Sequence, residues 1–251
     1  MSDSPKPGRR RVVRRHQPAV PASGQPSLFS LRPGKLWAVL KSYMGMEGKG
    51  DTRSIRDRPE LAEFLDTRAS FLAQTSLYGY LRTRAGMRYP ELFDDDPFIE
   101  AINIAKWQVW LACLSDLAVY VGSRLAQHAP RETPRVSALM QSLVEQVLES
   151  AGSPPEAGAD FASEAERVRD RVARTDWLAV GDSEAAFTES PTALVRWAPI
   201  VESLKELDED IVRNSVRYRW QEVRREVVAK LDAQAVFGSL PGGDTGADAG
   251  R

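Results

Sequence analysis

Residues Phe98 to Val121 restrict the fold more than any other stretch of this 251-residue chain. Ile99, Ile102, Trp107, Trp110, Leu111, Leu114 and Leu117 occupy more than one face of a helix, so an element built from them has to be wrapped by others. A bilayer is the other way to hide such a run. Here Glu100, Asn103, Lys106, Gln108 and Asp116 interrupt it, and a charge at a membrane centre costs about 2.5–3.5 kcal/mol on insertion scales. The run is therefore read as a buried core helix from Pro97 to about Gln127, long enough to span a domain, with no transmembrane segment.

The rest of the chain supplies amphipathic helices to surround it. Leu36, Trp37, Val39, Leu40, Tyr43 and Met44 have helical spacing before Gly45, Gly48 and Gly50, which predicts a short helix over Lys35 to Met46. Pro59 opens a longer one and Gly86 closes it; its small residues Ala69, Ala73, Ser76 and Gly79 allow a neighbour close approach. A loop from Gly86 to Asp96 leads to the central helix. Thr133-Pro134 marks another start, and Val136, Leu139, Met140, Leu143, Val144, Val147 and Leu148 make one stripe ending before Gly152. Beyond Pro154-Pro155, Phe161, Ala165, Val168 and Val172 face inward while Glu164, Glu166, Arg167, Asp170, Arg171 and Arg174 solvate the outside. After a break near Gly181, Pro191 to Phe237 reads as helical with a kink or restart at Pro199. No strict alternation or Asn-Gly hairpin signal occurs. The expected fold is all-α, a single bundle of about six helices over residues 34–236. A disordered basic arm (1–33) and a disordered tail (237–251) flank it.

Composition fits that fold. Apolar residues make up 42% of the chain and six tryptophans are spread from Trp37 to Trp220, which is ample material for a core. Cys113 is the single cysteine; it excludes an internal disulfide and, with no apolar signal-peptide run after Arg14 and Arg15, points to a cytoplasmic protein. Arginine outnumbers lysine 27 to 7, a bias that GC-rich bacterial genomes produce.

Chemistry-bearing patterns are sparse. One cysteine and two distant histidines, His16 and His128, cannot form the paired ligands of a zinc site, and no Glu-x-x-His of di-iron bundles occurs. Asp94, Asp95 and Asp96 before Pro97 suit helix capping and the helix dipole better than a metal. His128 suits the C-terminal end of the central helix. Phosphate and dinucleotide glycine patterns are absent, so no cofactor is expected.

Leu178-Ala179-Val180-Gly181-Asp182-Ser183 resembles the first block of the GDSL family of serine esterases, an apolar strand running into Gly-Asp-Ser. That resemblance implies an α/β hydrolase with Ser183 as nucleophile beside Asp182. The family's Asp-x-x-His near the end of the domain is missing, and both histidines precede Ser183. A helix cap at Asp182 or Ser183 is the alternative.

Two charged groups inside the apolar helix need partners. Lys106 and Asp116 are about 15 Å apart by helical rise, too far to meet, and an arginine of the preceding helix such as Arg68 is the expected partner of Asp116. The last long helix is divided by sign. Glu202, Glu206, Asp208, Glu209 and Asp210 against Lys205 leave −4, and Arg213, Arg217, Arg219, Arg224, Arg225 and Lys230 against Glu222 and Glu226 leave +4. This order suits the helix dipole, and it also lets an antiparallel second copy pair through Glu206, Asp208, Asp210, Arg213, Arg217 and Arg224. In the arm, Arg9, Arg10, Arg11, Arg14 and Arg15 suit an anionic membrane surface or nucleic acid. The function expected is a non-catalytic interaction or adaptor protein with an unknown protein partner, dimerising and tethered by its arm. The alternatives are the Ser183 esterase and a small-ligand carrier with a pocket beside the Trp107–Trp110 helix.

Overall fold

A computed structural model describes residues 53–181 and 183–240. Among them are eight α-helices: α1 (Arg58–Ala85), α2 (Asp96–His128), α3 (Thr133–Ala151), α4 (Phe161–Arg174), α5 (Trp177–Val180), α6 (Glu189–Trp197), α7 (Glu202–Lys230) and α8 (Ala233–Gly238). The described residues contain no strand, only an isolated parallel bridge between Ile55 and Leu231. The predicted helix over Lys35 to Met46, the basic arm, the tail beyond Leu240 and Asp182 lie outside the described residues.

The helix starts and stops follow local chemistry. Asp57 caps α1 by accepting from the Glu60 N–H at 2.9 Å, Pro59 sits in the first turn, and Gly86 ends the helix at φ 54°, a left-handed conformation that favours glycine. Residues Gly86–Asp94 then form a 3-10 stretch rather than a loop. The capping expected of the aspartates before Pro97 is only partly realised. Asp95 occupies the N-cap of α2 but its side chain makes no capping hydrogen bond, which leaves Asp96 in the first turn to favour the helix dipole. Thr133 is likewise the first residue of α3, not its cap, and its hydroxyl donates to the Pro130 carbonyl. Pro199 falls in the break between α6 and α7, where its missing N–H and fixed ring end one helix before the next begins.

Helix α2 runs through the middle and touches α1, α3, α4, α5 and α6. Its residues are buried without interruption from Ala105 to Leu111 and from Cys113 to Ser123, which no single face could achieve. It is long and apolar enough to cross a membrane, but 89% of its most apolar window is buried against the other helices, the position of a core helix. The outer helices bury one stripe each. In α3 this is Val136, Leu139, Met140, Leu143, Val144, Val147 and Leu148, and in α4 it is Phe161, Ala165, Val168 and Val172. Trp177 of α5 packs so closely on α2 that a Cβ added at Gly122 would lie 2.2 Å from its ring.

Candidate functional site

The polar centre of the molecule is Asp116, fully buried in the middle of α2. It pairs with Arg171 of α4 at 2.7 Å, and not with Arg68. Arg68 turns the other way, to Glu226 of α7, which also takes Lys230. The correction has a physical reason. Asp116 lies on the side of α2 that meets α4 and α6, so the helix preceding it in sequence is not the helix opposite it in space. Arg171 also departs from its expected solvated position; it sits at the edge of the inward stripe of α4 and its side chain is only 22% exposed.

Four donors converge on the carboxylate. The Glu189 and Ser190 backbone N–H groups donate at 3.1 and 2.9 Å, the Ser190 hydroxyl at 2.6 Å and Arg171 Nη1 at 2.7 Å. Asp116 thus takes up the free N–H groups of the first turn of α6, the job of an N-cap performed from a different helix. Trp220 of α7 donates from its indole to Ser190 Oγ at 2.9 Å, and Arg171 spans onward to Ser115 Oγ and the Ala186 carbonyl. Through these bonds α2, α4, α6 and α7 are joined at one carboxylate. Burial raises the Asp116 pKa, opposed by the Arg171 charge and by the Ser190 and Arg171 hydrogen bonds. Cys113, one turn before, is buried, and that burial pushes its thiol up, with the Asp116 charge adding to it. Lys106 is buried as well. Its pKa is lowered by burial, and its ammonium lies 5.7 Å from the Trp107 ring centre and 3.5 Å from Asn103 Oδ1.

Ser183 does not sit in a hydrolase framework. The apolar strand that the GDSL resemblance implies is the short helix α5, and the Ser183 hydroxyl donates to the Val180 carbonyl at 2.6 Å while accepting from the Ala185 N–H. This is the capping geometry, with no base among its contacts to the described residues. Trp107 and Trp110 are core, 3% and 1% exposed, and meet edge to face; Trp107 meets Phe161 in the same way. A cleft of about 380 Å³ does open on another face of α2, between Leu111, Ala112, Ser115, Arg171, Arg196 and Trp197. Two of its three lining arginines, Arg167 and Arg196, pair with Glu164, and neither indole of the tryptophan pair lines it. Among the described residues no group of three His, Cys, Asp or Glu side chains is placed to hold a metal.

On α7 the six charges grouped by sequence separate. Asp208 is drawn into the fold by Arg84 and by the Tyr80 hydroxyl, Arg213 bonds Glu209 and Thr192, and the Arg224 guanidinium lies over Tyr120. Glu206, Asp210 and Arg217 stay exposed. Glu206 and Asp210 have no ion pair among the described residues, and Arg217 donates only to Asn214. What charge reading alone missed is an apolar outer stripe between them. Leu207, Ile211 and Tyr218 are 75%, 72% and 72% exposed. At about 100° per residue they and Asn214 fall within about 60° of one another, directly opposite the buried face formed by Val212, Val216, Trp220, Val223 and Val227. Their 4-3-4 spacing was the available signal.

Comparison with known proteins adds nothing to this geometry: no family model, no curated protein and no solved structure matches the chain.

Proposed function

We propose that this is a non-catalytic helical interaction protein that binds a partner helix on the outer side of α7. The observation that carries the reading is the second apolar face of that helix. Val212, Val216, Trp220, Val223 and Val227 form the inner face of α7, while Leu207, Ile211 and Tyr218 lie outside the core of the described body. Large apolar side chains aligned in heptad-like spacing and left uncovered by the described residues favour association with a matching helix. The Asp116 network supports the same reading from behind, because Trp220 and Ser190 tie the inner face of α7 to the centre of the bundle and hold the outer face as a rigid ridge.

The test is a photoreactive benzoylphenylalanine in place of Tyr218, activated in cells of the source organism. A discrete protein adduct is expected, one that disappears when Ile211→Glu is added while the Tm stays unchanged. If no protein of any kind is captured at that position, the interaction reading fails.

A further inference from the structure

We infer that the partner on this face is a second copy of the same chain, packed antiparallel along α7. The inference rests on the interaction reading above and specifies its occupant. The stripe sets the register. In an antiparallel pair with its two-fold axis between Ile211 and Asn214, Leu207 of one copy meets Tyr218 of the other, and Ile211 meets Asn214, with the same contacts repeated across the axis.

That register makes a charge test that the helix did not have to meet. Asp210 and Arg217 flank the stripe on the same side, each one residue before Ile211 or Tyr218. Within one chain they are about 10.5 Å apart by rise and cannot pair. Across the two-fold axis, Asp210 of each copy falls beside Arg217 of the other, so both free charges are matched twice. The wider charge division agrees: in this register residues 202–212 of one copy lie along residues 213–223 of the other, so the exposed acids Glu206 and Asp210 run beside the segment that carries Arg217 and Arg219. A parallel copy would set acidic half on acidic half. No part of the described body lies over the stripe, because the core contacts of α7 are on its opposite side. The seam is short, so the expected dimer dissociates in the micromolar range.

The experiment is sedimentation of the full chain from micromolar to submillimolar concentration, as wild type, Asp210→Arg, Arg217→Asp, and an equimolar mixture of the two variants. Wild type is expected to dimerise, each variant alone to weaken the dimer by about tenfold or more through two like-charge contacts, and the mixture to recover the wild-type constant. Both positions are exposed, so Tm serves as the check that each variant folds. A wild type that stays monomeric overturns the inference, and if the Tyr218 probe still captures a different protein, only the occupant was wrong. A monomer whose residues 35–46 cross-link to Tyr218 overturns it in favour of a cover from the same chain. A dimer that the mixture does not restore overturns the antiparallel register.

Discussion

Asp116→Asn removes the charge at the centre of the bundle while keeping its shape, and the structure allows the cost to be worked out donor by donor. Asparagine retains one acceptor oxygen. Placed toward Arg171 and the Glu189 N–H, it turns an NH2 group on the Ser190 N–H, which then has no acceptor in a fully buried site. An orphaned buried donor costs about 1–3 kcal/mol. The Arg171 bond also drops from charged-pair strength to that of a charged–neutral bond, about 1 kcal/mol more. The Ser190 hydroxyl limits the loss, since it can rotate to accept from the new amide. Burial already raises the Asp116 pKa, so part of the ion-pair gain is spent on desolvation and the full 3–5 kcal/mol of a broken buried pair is not expected. The expected loss is about 2–4 kcal/mol, or a fall in Tm of about 4–16 °C for a domain of this size. Urea unfolding followed by tryptophan fluorescence measures it, with Trp220 reporting directly because its indole bonds Ser190. A change below about 1 kcal/mol with an unaltered fluorescence spectrum would show that the network does not hold these helices together.

Two further predictions come from packing and burial. Gly122→Ala would place a methyl group 2.2 Å from the Trp177 ring and 2.9 Å from Met140 Cγ, so it should destabilise by about 1–3 kcal/mol by overpacking in thermal unfolding; no loss would mean that α5 is not seated as described. Burial, with the nearby Tyr89 adding to it, pushes the Tyr78 phenol from 10.0 up to about 12. The folded pKa lies above the unfolded one, so the stability this group contributes is complete below pH 10.0 and is lost as pH rises through about 12. Tyr78→Phe should therefore flatten the decline of stability across that window, and a slope equal to that of wild type would refute the assignment.

Local pattern was a reliable guide wherever a segment's surroundings are set by its own neighbours. The stripes of α3 and α4, the termination of α1 at Gly86 and the break at Pro199 all follow from spacing, φ preference and a missing N–H, which act over a few residues. The apolar girth of α2 also made it the central helix, because no single neighbour can cover a helix that is apolar on all sides. The same logic said that Asp116 must have a partner. It could not say which, because Arg68 and Arg171 are equally charged, and their reach depends on which helices α2 packs against on each side. Tertiary packing alone brought Arg171 and Ser190 onto the Asp116 carboxylate, and Trp220, 104 residues beyond Asp116, onto the Ser190 hydroxyl. It also decided which charges of α7 were used up inside the fold and which apolar side chains were left outside, since a residue's exposure is a property of the neighbours that cover it and not of its own sequence.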